Sequence, residues 1–432
     1  FPVDFHILIC DEAHRMVDAA RSVTSVSVAW EDLVRLLRSK GASIAESYLQ
    51  TREENVITLR DQLSLAREEG NRLFELLEVS TPDGVLIPSK NDELFRSGQL
   101  VVSHIEEALK ILDQVDEFRA DEGFNRDEDQ LAIALAWVEE LRLFSDSLLW
   151  CLAVEHFPEW AYWREKRILV SEPTVCSASV SEGLHSQNPK KIFAVSATMT
   201  VGGSFEFWQR ETGIEPTETC VLNSPFDLPH QMEVLIVDLG LRVIDEGYDE
   251  RVCRVVEHLC DENRGSSLVL LSSMRLVKKV GEWMKRIKRD YDVFVQNDLP
   301  RTELLERFRE DVSSVLVGSV SFREGVDVPG EGLTQVIIDR IPFPHPKDPI
   351  IQARNELEGK KAFLSVTLPQ ARMLLRQAIG RLIRSSHDRG RAVILDGRVI
   401  DRQSWHIRRD LPPVPIRRLS VKTNSVAHGK TV

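Results

Sequence analysis

The chain has 432 residues, 42% of them apolar and 28% charged, which is enough for two or three domains of ordinary size; no stretch approaches the roughly 20 consecutive apolar residues of a membrane span, so no membrane insertion is expected. A net charge of -13, taken alone, argues against a nucleic-acid partner, because such partners usually meet a basic face. The average is misleading: residues 31–165 carry 29 acidic against 14 basic side chains, whereas residues 371–432 carry 14 basic against 4 acidic, so the charge is segregated by segment.

Phe1-Pro2-Val3-Asp4 has neither an initiator Met nor the basic start and apolar run of a signal peptide, and reads as a cut edge. Phe5 to Cys10 is a short apolar, β-branched run ending at Asp11-Glu12-Ala13-His14. That pattern predicts a buried parallel strand delivering carboxylates to the sheet edge, where the chemistry of α/β proteins sits. Residues 30–160 change to long amphipathic patterns, such as Leu63, Leu73, Leu76, Leu77 and Leu131, Leu135, Val138, Leu141. They predict a mostly helical insertion with loops at Ser80–Gly84 and Asp121–Asp129. Strand-like runs resume at Ile168–Val170 and at Lys191–Val195, which leads into Ser196-Ala197-Thr198. The first domain, residues 1–29 and 161–225, therefore closes around its insert. Beyond Ser224-Pro225-Phe226, strands at Glu233–Val237, Ser267–Leu271, Val315–Val317, Gln335–Ile338 and Ala392–Leu395 alternate with helices such as Leu276–Ile287. This predicts a second parallel α/β domain over residues 226–420, with 421–432 as a flexible tail. Six scattered cysteines (Cys10, Cys151, Cys176, Cys220, Cys253, Cys260) contain no C-x-x-C pair, which argues against a zinc ribbon or disulfide framework and for a reducing, cytoplasmic compartment.

An Asp-Glu pair after an apolar strand suits nucleotide hydrolysis. Asp11 would hold Mg2+, a hard cation that prefers oxygen ligands and keeps its waters, while Glu12 orients and deprotonates the attacking water. His14 would sense the gap between the domains. By themselves these residues fit surface-loop carboxylates equally well. The run Gln377-Ala378-Ile379-Gly380-Arg381-Leu382-Ile383-Arg384 places Gln377, Arg381 and Arg384 on one helical face, with Ile379, Leu382 and Ile383 on the packing side. Guanidiniums so placed suit a triphosphate, since Arg clamps phosphate oxygens and stabilises developing charge across a cleft; a solvated basic face is the plain alternative. Gly380 in a helix interior costs about 1 kcal/mol relative to Ala and needs a reason such as close backbone approach.

The stretches DEAH, SAT, GSVSFREGVDVPG, RIPFPHPKDP and QAIGRLIRSSHDRG occur in the order and at the approximate separations of helicase motifs II, III, V and VI. Over nearly its whole length the chain resembles the DinG/XPD family of superfamily 2 DNA helicases. The resemblance implies an α/β fold of two RecA-like parallel-sheet domains, with the helical insertion as an arch beside the DNA path. It implies ATP and Mg2+ as cofactors, single-stranded DNA and duplex junctions as partners, and a monomeric motor moving 5′ to 3′. Residues 321–349 resemble most the CRISPR-associated DinG branch of type IV systems, which would add a CRISPR ribonucleoprotein as partner; DNA repair is the other pathway.

Carried over residue by residue, Ser196, Ala197 and Thr198 match motif III, which couples hydrolysis to DNA grip. Glu324, Gly325 and Asp327 match motif V on the nucleotide side, and Gly318-Ser319 would lie along the DNA backbone. Gln377, Arg381 and Arg384 match motif VI, with Gly380 among the nucleotide-binding residues. Ser272 and Ser273, at a strand end before a helix, have two open readings, a DNA phosphate contact and helix capping. Arg323 stands where many relatives have Trp and offers a phosphate contact in place of stacking. Motif I, whose Gly-rich loop and Lys cradle phosphates, is absent and expected upstream; Gly429-Lys430-Thr431 imitates its end, but with only Val432 following it reads as coincidence. The family's iron-sulfur cysteines also lie upstream of motif II, so the cluster is undecided, and Cys253 and Cys260 read as helix packing. A non-catalytic module that binds nucleic acid or a partner complex through the acidic insert is the alternative function. An RNA helicase of the DEAH class is disfavoured by FREGVDVPG and RIPFPHP.

Overall fold

A computed structural model describes residues 6–49, 53–80, 92–117, 128–153, 160–165, 167–186, 188–323, 326, 328 and 330–421. The first part runs β1 (Ile7–Cys10), α1 (Met16–Thr24), β2 (Val26–Ala29), α2 (Trp30–Leu37), α3 (Lys40–Leu49), α4 (Glu53–Ser80), α5 (Asp92–Glu117), α6 (Glu128–Leu152), β3 (Trp160–Glu165), β4 (Ile168–Pro173), α7 (Ser177–His185), β5 (Lys191–Ala194) and α8 (Glu206–Thr212). The helical insertion is present. Its apolar residues recur every three or four positions, Leu59, Leu63, Ala66, Leu73 and Leu77 on α4, Val101, Ile105, Ala108 and Leu112 on α5, Ala134, Val138, Leu141 and Leu148 on α6. All of them enter one buried core, as amphipathic stripes must. Ser80 and Glu128-Asp129, expected in loops, are helical; the rest of those two loops lies outside the described residues.

The run Ile168–Val170, expected in the first α/β domain's sheet, pairs elsewhere. β4 lies antiparallel between β2 and β3 and alternates in burial, sending Leu169 into the insertion core beside Val28. This small sheet therefore floors the helices. β1 pairs in parallel with β5, Ile7 opposite Lys191 through Cys10 opposite Ala194. One face packs, since Cys10 and Ala194 meet Ala13, Met199 and Trp208. The other corrects the expectation of a buried strand: Ile7, Ile9, Phe193 and Val195 are 50% to 68% exposed, because no described element covers that side.

The second part runs α9 (Leu228–Gln231), β6 (Met232–Asp238), α10 (Tyr248–Glu262), β7 (Ser267–Leu271), α11 (Met274–Met284), β8 (Val293–Val295), α12 (Arg301–Glu310), β9 (Val315–Ser319), β10 (Gln335–Ile338), α13 (Pro349–Glu358), α14 (Leu368–Ile379), β11 (Gly390–Ile394), α15 (Arg398–Asp401) and β12 (Ile416–Ser420). Its strands form one seven-stranded sheet, β12-β6-β11-β10-β7-β9-β8, with every neighbouring pair parallel. Alternate residues face opposite layers. Ile236, Leu268, Leu316, Val336 and Ile394 pack with Leu304 and Phe308 of α12 and Leu375 of α14, whereas Leu235, Val269, Val317, Ile337 and Val393 pack with Val256 of α10 and Val280 of α11. Burial on both faces explains why these strands read as continuous apolar runs. All five expected strands are present. β8, Val293-Phe294-Val295, is apolar but only three residues long, and β12 reads Ile-Arg-Arg-Leu-Ser at an edge, so one was too short and the other too charged to read as a strand. Ser420 ends β12, and Val421, read as the start of the tail, still donates its N–H to Asp238 O at 3.0 Å. Gly429-Lys430-Thr431 and the rest of 422–432 lie outside the described residues.

Candidate active site

The segments leaving β1 and β5 are tied together: Ala13 N donates to Val195 O and Val195 N to Cys10 O, each at 2.9 Å. The buried Trp208 indole donates to Ala13 O at 3.0 Å. Held this way, Glu12 sits at φ 49°, ψ 43°, a left-handed conformation that costs a residue with a Cβ about 1 kcal/mol or more and persists only where its surroundings impose it. Glu12 N donates to Asp11 Oδ1 at 2.8 Å, and both carboxylates are exposed.

From this turn a chain of polar contacts leads into the second part of the fold. His14 Nδ1 lies 2.8 Å from Ser196 Oγ and 3.2 Å from Glu12 Oε2. Ser196 Oγ donates to Glu12 Oε2 at 3.3 Å and accepts from Thr198 N at 3.2 Å. Thr198 Oγ1 then accepts from Gln377 Nε2, on α14, at 3.0 Å. The resemblance assigns Ser196 and Thr198 to the DNA grip; in the structure their hydroxyls link Glu12 to α14.

The single helical face expected for Gln377, Arg381 and Arg384 is not what forms. α14 stops at Ile379, Gly380 is its C-cap, and the chain tightens through Arg381 N to Ala378 O at 3.4 Å and Leu382 N to Ile379 O at 3.1 Å. Leu382 and Ile383 turn into the core, and that burial pulls the backbone off the helical path. Gly380 therefore has no mid-helix penalty to explain; a Cβ there would meet only its own helix, Arg376 O at 3.2 Å. Arg384 is exposed, on a loop clamped by the buried Asp388, a residue that sequence reasoning left unassigned. Asp388 Oδ2 accepts from Arg384 N at 2.6 Å and Ser385 N at 2.8 Å, and Oδ1 from Ser385 Oγ at 2.7 Å and Gly330 N at 3.1 Å. Burial pushes this carboxyl up, but those donors outweigh it and hold it below the ordinary range.

On the expected DNA side, Ser273 caps α11, accepting from Leu276 N at 3.3 Å, which is the capping reading. Ser272 Oγ donates its one proton to Asp339 Oδ2 at 2.6 Å. Asp339 is fully buried, its Oδ1 has no hydrogen-bond partner among the described residues, and burial pushes its pKa up to about 6. Ser319 N donates to Gln296 Oε1 at 2.6 Å. Glu324, Gly325 and Asp327 lie outside the described residues, as does the side chain of Arg323. Sequence reasoning also missed an arginine clasp between the two parts. Arg376 Nη1 donates to Thr200 Oγ1 at 3.1 Å, Arg372 and Gly202 N both bind Asp410, and the buried Arg354 grips Glu211 at 2.8 and 3.2 Å. The spacing of Arg372, Arg376 and Gln377 along α14 was the available signal.

Residues 256–413 match the family described as "Helicase C-terminal domain". The chain is 31% identical over 265 residues to the "ATP-dependent DNA helicase YoaA" of Escherichia coli (strain K12), covering 60% of this chain and 42% of that protein. It is 27% identical over 447 residues to the "ATP-dependent DNA helicase DinG" of Photobacterium profundum, covering 94% and 64%. It thus spans less than two thirds of these relatives' length. A solved XPD helicase superposes with a TM-score of 0.58 at 14% identity, over 97% of this chain and 70% of that one, so the fold is shared. Motif order, the helicase C-terminal match and the DinG and YoaA relatives point the same way: residues 256–413 are a helicase C-terminal domain, and the chain is similar to DinG and YoaA helicases on the fold of a solved XPD helicase.

Proposed function

We propose that the protein is an ATP-driven DNA helicase that hydrolyses ATP between its two α/β domains and moves 5′ to 3′ along single-stranded DNA. The observation that carries this reading is the contact chain from Glu12 through Ser196 and Thr198 to Gln377, which couples a hydrolytic carboxylate in one domain to the helix ahead of two arginines in the other. The domain limits proposed are 1–29 with 161–225, the arch at 30–160, and 226–420.

Two adjacent exposed carboxylates, with no group of three or more His, Cys, Asp or Glu gathered among the described residues, fit Mg2+ shared with phosphates and water rather than a cation caged by protein alone. Bound ATP-Mg2+ supplies the phosphoryl group and offsets its charge. Asp11 would hold the ion, oriented by the Glu12 amide. Glu12 takes a proton from the attacking water, its Oε2 positioned by His14 and Ser196. Arg381 and Arg384 stabilise charge on the transferring group, beside Gly380, Glu324, Gly325 and Asp327. Ser319, Arg323 and Ser273 are assigned to the DNA backbone, Ser273 through its helix N-terminus, since its hydroxyl already caps α11; Ser272, expected beside them, gives its hydroxyl proton to Asp339 instead. The pathway proposed is DNA repair or type IV CRISPR interference.

The test is DNA-stimulated ATP hydrolysis by the intact protein, with Glu12→Gln and Arg384→Ala. Turnover that depends on DNA and falls by roughly 10²-fold or more in Glu12→Gln supports the motor. A folded protein that binds DNA without turnover is the alternative, a non-catalytic nucleic-acid-binding module.

A further inference from the structure

Three aromatic rings meet at the C-terminal edge of the seven-stranded sheet, outside every residue assigned above. Phe343 lies on the segment leaving β10, Trp405 follows α15 after β11, and Phe363 opens a π-helical turn, Phe363–Thr367, ahead of α14. Ring centroids are 5.7 Å apart for Phe343 and Phe363, 5.4 Å for Phe343 and Trp405, and 5.5 Å for Phe363 and Trp405. Phe343 and Trp405 rest on the core, but Phe363 is 36% and the next residue, Leu364, 62% exposed.

Cations border the cluster. Arg398 lies 5.9 Å from the Phe343 and Trp405 rings, and Arg402 is 5.9 Å from Trp405. Arg398 is fixed by two bonds to Asp396, at 2.9 and 2.7 Å. Asp396 also accepts from Ile341 N at 3.1 Å, so the segments after β10 and β11, which carry Phe343 and Trp405, are tied together behind Phe363. Lys360 and Lys361, both exposed, precede Phe363. A cluster serving only the core would bury Phe363 and Leu364. An apolar step open to solvent and bordered by cations suits a single strand, which needs a flat surface for a base and positive charge for its phosphates. π-turns are rare and collect at functional sites. The same sheet edge carries Ser272, beyond β7, and Ser319, at the end of β9.

We propose that Phe363, backed by Phe343 and Trp405 and extended by Leu364, is a base-stacking step for single-stranded DNA, with Lys360, Lys361 and Arg402 as its phosphate partners. The choice of ligand rests on the DNA-motor reading. The test is equilibrium binding of oligo-dT, and of an equally long strand lacking bases, at fixed salt. The wild type should prefer oligo-dT. Phe363→Ala and Leu364→Ser should weaken oligo-dT binding by roughly fivefold to a hundredfold, the range one base stack supplies, and leave the abasic strand within about twofold. Phe363→Tyr, which keeps a ring, should retain the preference, and Leu364→Ser, at an exposed position, gives a readout that survives if Phe363→Ala fails to fold. Equal losses on both strands, or no loss in folded variants, overturn the step and leave the motor reading standing. Absence of DNA binding by the wild type overturns both.

Discussion

Asp339 and Ser272 show how one buried contact redirects a residue's role. A serine hydroxyl has one proton, and Ser272 gives it to Asp339, so in this conformation its side chain is an acceptor toward anything outside and cannot donate to a phosphate. Asp339 carries a pH signature of its own. Its carboxyl titrates near 4 in an unfolded chain and near 6 when buried here, so the folded state binds the proton more tightly. Stability therefore declines as pH rises from about 4 to about 6 and is level above that window. Asp339→Asn removes the charge that burial penalises. In urea titrations at pH 4 and pH 7, the stability difference between Asn variant and wild type should move in the variant's favour at the higher pH; a difference that does not change with pH rules the account out.

α10 to β7 and α14 are the elements whose ends matter most. Between the first two, Gly265 turns at φ 86°, and a Cβ there would fall 1.6 Å from Ser313 O, a collision with backbone that no rotamer relieves. Gly265→Ala should cost about 2 kcal/mol or more, read as a lowered midpoint in chemical denaturation, while a melt within about 0.5 kcal/mol of wild type would contradict the geometry. In α14 the helix end presents Gln377 to Thr198 and releases Arg381 and Arg384 onto a loop that Asp388 clamps. Gln377→Ala cuts one contact between the two α/β domains, the one that leads to Glu12, without touching either carboxylate. The expected result is ATP hydrolysis that loses most of its stimulation by DNA, with DNA affinity in the absence of nucleotide kept within about twofold of wild type.

The whole molecule is acidic, with a net charge of -13, yet its proposed ligand is a polyanion. Local arrangement resolves the conflict, because screening confines each charge to about 8–10 Å at ordinary salt and the acidic surplus sits in residues 31–165. With about three to five phosphates held, affinity for single-stranded DNA should fall by roughly tenfold to a hundredfold between about 50 and 200 mM salt, linearly on logarithmic axes. An affinity indifferent to salt would mean that the backbone is not the anchor. The contacts that join the two parts are Arg354 with Glu211, and Gly202 N with the Asp410 carboxylate that Arg372 also holds.

Composition and periodicity by themselves determined the α/β class, all five central strands of the second sheet and the helical insertion, because burial on both faces and the 3.6-residue stripe leave a mark on every turn and strand. Tertiary structure alone decided what short or charged segments do. β8 and β12 join the sheet through partners that their own residues do not announce, and Ile168–Val170 pairs with Val26–Ala29 across the whole insertion. Arg381 and Arg384 leave the helix because Leu382 and Ile383 are drawn into a core the local pattern cannot see. Ser196 faces Glu12, 184 residues away, because β1 and β5 pair within the first domain, and Thr198 meets Gln377, 179 residues away, only when the two domains are together.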